Sequence, residues 1–173
     1  MAESLLSLLA DDLATALLHN GDILNETTPS LKRRINVCMT PCMLVSVLHR
    51  LAHSAWERGY FRLAEILAYT NLIFHRIDIH PACKIKGGLY VPHPAGVFIR
   101  AHAGKNFVVL ASAGICDGGH AFPEYWPSIG DDVWVAAGAR VSGHLHIGSN
   151  ARVSPRTVLV SDLPAKTIAH AAL

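Results

Sequence analysis

The stretch Ile79-His80-Pro81-Ala82-Cys83-Lys84-Ile85-Lys86-Gly87-Gly88-Leu89-Tyr90-Val91 carries an apolar residue at every sixth position. The series continues through Val97, Ala103, Val109 and Ile115, then resumes as Ile129, Val135, Val141, Ile147, Val153 and Leu159. Neither the helical period of about 3.6 nor the two-residue alternation of an ordinary strand generates this spacing, so the stretch is a repeat. A second slot falls four places after each of these residues. It holds Cys83, Leu89, Ala95, Ala101, Phe107 and Ala113 in the first run, and Val133, Ala139, Leu145, Ala151, Thr157 and Leu163 in the second.

Each unit reads as a short strand and a turn. Three units make a triangular coil of about 18 residues, and stacked coils pair their backbones in parallel around a column of Val, Ile and Ala. The expected fold is α+β: N-terminal helices followed by a left-handed parallel β-helix with one external loop. The expected divisions are a helical region over 1–76, a β-helix over 77–168 with a loop at 116–128, and a short tail at 169–173. The loop is required because the step from Ile115 to Ile129 matches neither one repeat unit nor two, so the repeat cannot run through it. It begins with Asp117-Gly118-Gly119-His120 and ends with Tyr125-Trp126-Pro127. Loops thrown from a rigid scaffold commonly carry function, and a surface excursion with a packed tryptophan is the other reading.

Ahead of the repeat, Leu5, Leu8, Leu9, Leu13, Ala16 and Leu17 recur at helical spacing, and His19-Asn20-Gly21 supplies a stop. Thr27-Thr28-Pro29 opens a segment in which Ile35 and Val37 are too few to decide the structure. Thr40-Pro41 starts a helix reaching about Arg58, with the hydroxyl expected to cap free N–H groups and proline suited to the first turn. Its expected inner face is Leu44, Val47, Leu48, Leu51, Ala52 and Ala55, and Gly59 ends it. A further helix from Tyr60 to about His75 carries Leu63, Ile66, Leu67, Thr70, Ile73 and Phe74 and hands the chain to the repeat at Ile77. These helices are expected to cover the open first coil, whose backbone has no coil above it.

The chain of 173 residues is 51% hydrophobic and 16% charged, apolar enough to expect contact with copies of itself. A net charge of +2 gives no nucleic-acid or membrane bias, and Lys32-Arg33-Arg34 reads as a solvated helix face. Cys38, Cys42, Cys83 and Cys116 do not form a zinc-ligand pattern and read as structural thiols of a reducing compartment. No basic leader or long apolar span is present, so the expected location is cytoplasmic.

Of the 11 histidines, His80, His93, His102 and His120 fall in the first half of the repeat and its loop. The spacing of Asp78 and His93 falls just short of one coil, which puts them on consecutive coils near neighbouring faces. A carboxylate there can hold one ring nitrogen and leave the other as a base. His93 between Pro92 and Pro94 is equally read as a turn residue.

Three segments carry a resemblance: Leu48-His49-Arg50-Leu51-Ala52-His53-Ser54-Ala55-Trp56, Ile77-Asp78-Ile79-His80-Pro81-Ala82-Cys83-Lys84-Ile85, and Ile129-Gly130-Asp131-Asp132-Val133-Trp134-Val135-Ala136-Ala137-Gly138-Ala139. Over about residues 45–168 the chain resembles the serine O-acetyltransferases of the hexapeptide-repeat acyltransferase superfamily. The resemblance implies transfer of acetyl from acetyl-CoA to serine, with His93 as general base, Asp78 holding its tautomer, and no metal. It implies CoA contacts near Ala137, Gly138 and Ala139, and a homotrimer or a dimer of trimers. The lead-in before the coils is shorter than the family's.

Departures accompany the match. The family's aspartate before the catalytic histidine is Pro92 here, and the loop's Arg-His-Pro is Tyr125-Trp126-Pro127. Losing these polar contacts favours a specialised hydroxyl acceptor near Pro92, Tyr125 and Trp126, with His120 or Glu124 as substitutes. The C-terminal turn is replaced by His170-Ala171-Ala172-Leu173, and Val153-Ser154-Pro155-Arg156 replaces a glycine pair, leaving Arg140, Arg152, Arg156 or Lys166 to meet CoA phosphates. Two other classes stand beside this one: a non-catalytic scaffold subunit, and a zinc enzyme of the carbonic anhydrase kind using His93, His102 and His120.

Overall fold

The computed structural model describes residues 4–19, 30–119 and 122–171. Among the described residues four helices, α1 (Leu5–His19), α2 (Leu31–Cys38), α3 (Pro41–Glu57) and α4 (Phe61–His75), precede twelve short strands. All strand pairing is parallel. The first sheet stacks β1 (Ile77–Ile79), β2 (Val97–Ile99), β5 (Gly114–Cys116), β8 (Arg140–Ser142) and β11 (Val158–Leu159). The second holds β3 (His102–Ala103), β6 (Ser128–Ile129) and β9 (His146–Ile147). The third holds β4 (Val108–Val109), β7 (Trp134–Val135), β10 (Arg152–Val153) and β12 (Ile168–Ala169). From β2 to β11 the chain visits first, second and third sheets in turn, so each circuit is one rung of the stack; between β11 and β12 the second sheet is touched only by the bridge of Leu163 to Ile147. The thirteen sixth-position residues from Ile79 to Leu159 are all buried and form one continuous core with the apolar residues of the second slot other than Ala95.

The register departs from an unbroken period at two places. Val97 pairs with Ile77, a step longer than the regular rung, and Ile115 pairs with Ile99, a step shorter by the same amount. The bend Pro92–Gly96 therefore holds two residues more than the matching turns below it, and the following corner two fewer. Val97 takes the inward place expected of Ala95, which is exposed. The second departure is the loop. Ala103 pairs with Ile129, and Ile129 in turn with Ile147; the first of these steps is the longer by eight, which is the loop's insertion. A short 3-10 turn, Pro123–Tyr125, closes it.

The helices cover the first rung through side chains that satisfy its upward-facing backbone. Asp12 Oδ1 accepts from Gly88 N and Leu89 N, both at 2.8 Å. Arg50 donates to Asp12 at 2.9 and 3.0 Å, to Lys86 O at 2.8 Å and to Ile85 O. Ser46 Oγ donates to Leu89 O at 3.2 Å. These bonds replace those that a rung above would supply.

They also turn the helices away from the expected faces. On α3 the expected Ala52 and Ala55 are buried, but so are Val45, Ser46, His49 and Arg50, while Leu44 and Leu51 are exposed, because Arg50 is drawn inward by Asp12 and the carbonyls of the first rung. On α4, Leu63, Ile66, Ile73 and Phe74 are exposed and only Ala64 and Asn71 are buried. The hydroxyl of Thr40 does not cap α3; it donates back to Val37 O at 2.5 Å, a carbonyl at the end of α2 that also accepts from Thr40 N at 3.0 Å. The undecided segment forms α2, with Ser30 Oγ accepting from Arg33 N at 3.4 Å. The expected stop at Asn20-Gly21, the expected start at Thr27-Thr28-Pro29, and His120 lie outside the described residues.

Candidate functional site

His93 stands on the corner where the third sheet hands over to the first. Pro92 and Pro94 restrict the backbone on either side of it, and Gly96, at φ 73°, supplies the left-handed residue that closes the enlarged bend. Gly96 N donates to Arg76 O at 2.9 Å and Ser112 N to Ala95 O at 3.1 Å, so the bend is tied to the rungs above and below. His93 itself is exposed. Asp78 is half-buried in β1, paired with Phe98 of β2, one rung above. Among the described residues no hydrogen bond joins Asp78 to His93.

The same corner continues downward through Ala111, Ala137 and Ser154-Pro155-Arg156. Gly138 N donates to Ala111 O at 2.9 Å, and Arg156 N to Ala137 O at 3.0 Å. Ala137, Gly138, Ala139 and Arg156 thus share one edge of the stack with His93. Gly138, at φ 69°, leaves the middle of that edge without a side chain, where a ligand can approach the backbone. Arg140 leans back over the edge, donating to Ala139 O at 3.2 Å and to Ser112 O. Lys166 does not join this group. Its N–H donates to Ser149 O, at the corner between second and third sheets. Arg152 lies over the Trp134 ring at 5.1 Å on the third sheet.

Of the residues expected to meet the acceptor, Pro92 adjoins His93, whereas Tyr125 and Trp126 lie at the opposite side of the first sheet. Trp126 is 3% exposed, so it is a plug beneath the loop and not an open wall. Its ring is edge-to-face with His80 at 5.1 Å and lies 5.7 Å from His102, and its Nε1 has no partner among the described residues. His80 Nδ1 accepts from Ala82 N at 3.1 Å, and burial followed by the nearby Arg100 charge pushes its pKa down. The pKa of His102 is lowered too, chiefly by burial; its Nδ1 accepts from Lys84 N at 3.2 Å. Both shifts favour the neutral imidazole. Tyr125 is exposed, 6.1 Å from the His144 ring. Within one chain, then, Tyr125 and Trp126 are not brought to His93.

Nothing in the sequence distinguished the enlarged bend, since Val97 and Ile99 are both apolar and either phase reads as buried. Arg100 was also missed. Its guanidinium lies over the Phe98 ring at 5.0 Å, and its buried Nε has no partner among the described residues. Among the described residues no group of three His, Cys, Asp or Glu could hold a metal ion. A groove of about 1220 Å³ opens elsewhere, between α1, α3 and the second sheet, and its lining does not include His93.

No family model matches the chain. It is 29% identical over 146 residues to the serine acetyltransferase of Bacillus pumilus, an overlap of 83% of this chain and 67% of that one. It is 32% identical over 122 residues to the serine acetyltransferase of Mycobacterium tuberculosis, covering 69% of this chain and 53% of that one. Soybean serine acetyltransferase complexed with serine superposes with a TM-score of 0.82 at 28% identity, covering 96% of this chain and 68% of that chain. The chain spans between about half and two thirds of the length of these relatives.

Six-residue units carried in rotation through three parallel sheets, with a ligand-accessible glycine corner, define a hexapeptide-repeat protein. Within that class the chain is similar in sequence and in fold to the serine acetyltransferases.

Proposed function

We propose that the chain is an acyl-CoA-dependent O-acyltransferase that moves acetyl from acetyl-CoA to the hydroxyl of serine or of a related acceptor. The observation that carries this reading is the shared edge: His93 and the Ala137-Gly138-Ala139 turn occupy one corner of the stack, in a chain whose relatives are named serine acetyltransferases. CoA lies along that edge against backbone made accessible by Gly138, with Arg156 meeting a phosphate. His93 removes the acceptor proton as its oxygen attacks the thioester carbonyl. The new C–O bond forms, the C–S bond breaks, and the imidazolium returns its proton to the departing CoA thiolate. Asp78 holds the imidazole in the required tautomer and offsets its transient charge. In the exposed bend this contact is made when the acceptor site closes, since catalytic hydrogen bonds are often loose without substrate.

The acceptor is one that tolerates Pro92 in place of a carboxylate. With Trp126 plugged beneath the loop, Tyr125 and either His120 or Glu124 remain as the loop's contributions. The sheets wind as a left-handed β-helix over 77–168, behind a helical region at 1–76 and ahead of a tail at 169–173, and the chain assembles as a homotrimer or a dimer of trimers with the loop of one copy brought to the corner of another. Cys38, Cys42, Cys83 and Cys116 form no disulfide, which accords with a reducing, cytoplasmic setting. Among the described residues no single helix is long and apolar enough to cross a membrane.

The test is acetyl-CoA consumption followed by mass spectrometry with L-serine, L-homoserine and other hydroxylated metabolites. Acceptor-dependent product is expected, and His93→Ala should reduce its rate by about 10²- to 10⁴-fold with the assembly intact. Full activity in His93→Ala removes the base assignment. Absence of both turnover and CoA binding favours a scaffold subunit, the reading to which the unmade Asp78–His93 contact leads.

A further inference from the structure

The outer side of the first sheet carries a cation without a partner among the described residues. Along β1 and β2, Ile77, Ile79, Val97 and Ile99 are buried, and Asp78, His80, Phe98 and Arg100 alternate with them on the outer side, each half-buried. Asp78 pairs with Phe98, and His80 and Arg100 stand one place further on, side by side on adjacent rungs. The Arg100 guanidinium does not run out to solvent. It folds back over the Phe98 ring at 5.0 Å, toward the corner that bears His93, and makes no hydrogen bond or ion pair among the described residues.

Its surroundings are rich in donors. Arg100 Nε and Trp126 Nε1 are both buried without partners among the described residues, and the Trp126 ring lies 5.1 Å from His80. His80 Nδ1 accepts from Ala82 N, so its neutral ring carries the proton on Nε2 and is a third donor. Of the carboxylates near this cluster, Asp78 does not take the guanidinium, and Glu65 is turned to Arg62 at 3.4 Å. Buried donors in folded proteins are paired, so the acceptor oxygen that these lack comes from outside the chain.

We propose that Arg100 binds a carboxylate of the acceptor, which makes the acceptor a small hydroxy acid. The inference rests on the transferase reading and narrows it. Three strand residues, about 10 Å, separate Val97 at the corner from Arg100, and the fold-back over Phe98 shortens that span. A three-carbon hydroxy acid lying across Asp78 and Phe98 then puts its carboxylate on the guanidinium and its hydroxyl toward His93. The planar fork takes a carboxylate through two parallel N–H···O bonds, and Phe98 beneath it fixes the plane. A CoA phosphate suits Arg100 less well, because the Gly138 edge lies across the width of the sheet from it.

The test compares L-serine and D-glycerate with their methyl esters, which keep the hydroxyl and lose the charge. Wild-type kcat/KM should favour the acids by at least about 10-fold. Arg100→Met keeps the stem over Phe98; it should raise KM for the acids about 10- to 100-fold and leave KM for the esters and for acetyl-CoA unchanged. Arg100→Lys, with the charge but not the fork, should fall between, and if the Met variant fails to fold, an unchanged KM in Arg100→Lys overturns the proposal. So does a wild type without preference for the acids, or a preference that survives in Arg100→Met. A rise in KM for acetyl-CoA alone would assign Arg100 to a CoA phosphate, and a fall in sedimenting mass would assign it to a contact between copies; either overturns it. If no acceptor is turned over, the transferase reading fails, and saturation-transfer NMR with the same compounds decides Arg100 by itself. Signals from the acids but not the esters, lost in Arg100→Met, sustain the carboxylate site; equal or absent signals remove it.

Discussion

In the rungs, the thirteen inward residues from Ile79 to Leu159 are Ile, Val, Leu or Ala, and none is more than 8% exposed. In the helical layer, the residues buried to 1% or less include Asp12, His49, Arg50 and Asn71. The difference follows from what each region must do. A rung between two others has its N–H and C=O groups paired by its neighbours, so its interior needs only apolar volume. The first rung has none above it, and the layer that covers it must bring polar side chains to Ile85, Lys86, Gly88 and Leu89. Apolar burial is repetitive and local here; polar burial is unique and long-range.

The sharpest way to break that contrast is Asp12→Ala. It leaves the Arg50 guanidinium buried without its carboxylate and strips Gly88 N and Leu89 N of their acceptor. A loss of about 3–5 kcal/mol is expected, the usual consequence of breaking a buried pair from one side. Urea unfolding measures it. A loss below about 1 kcal/mol would mean that the cover is held by apolar contacts after all. Replacing both partners, Asp12→Leu with Arg50→Met, should cost much less than Asp12→Ala, since no charge is then stranded.

A smaller effect separates the regions by pH. His49 is buried with both ring nitrogens unpartnered among the described residues, and burial, then the Arg50 charge, then His53, hold its pKa well below the usual value of 6.5. The unfolded chain therefore takes up a proton that the folded chain refuses. Stability should decline as pH falls below about 6.5, with a slope near ~1.4 kcal/mol per unit for this one group. Between pH 7.5 and 5.0 that amounts to at most about 2 kcal/mol. His49→Leu should remove that part of the decline, read as a smaller shift of the urea midpoint between the two pH values. An equal shift in variant and wild type would place the acid sensitivity elsewhere.

The same contrast explains what the sequence could and could not say. The sixth-position residues and the loop were legible because a stacked repeat imposes one rule at every rung, and the uneven step from Ile115 to Ile129 breaks it visibly. The ends of α1, α3 and α4 were legible from periodicity and from Pro41 and Gly59. The faces of α3 and α4 were not, because Arg50 is turned inward by the carboxylate of Asp12, on a different helix, a link without periodic trace. Leu44 and Leu51 therefore looked like core and are exposed. In the candidate site, Asp78, His93 and the Ala136–Ala139 turn were singled out by motif, and spacing put Asp78 and His93 only near neighbouring faces; the corner that His93 shares with Ala137 emerges from the backbone bonds between rungs. Trp126 was harder: an aromatic residue closing a loop reads the same whether it lines a site or, as here, fills the space beside His80 and His102.

The smallest expected effect bears on how His93 is presented. In an unbroken six-residue period, Ala95 and Ala113 occupy the same inward slot. The observed pairing gives that place to Val97 and leaves Ala95 outside, on the same enlarged bend as His93. Ala113→Leu should overpack the column and cost about 1–3 kcal/mol, whereas Ala95→Leu should change stability by less than about 0.5 kcal/mol. The pair is measured by thermal unfolding. Equal losses would mean that Ala95 points inward, that the bend holds no extra residues, and that His93 sits in an ordinary corner like the three beneath it. Unequal losses would place the irregularity at the corner bearing His93. A repeat that stabilises itself by uniformity would then interrupt its register at the residue proposed to act on substrate, and strain or irregularity persists at such positions because the rungs on either side hold it in place.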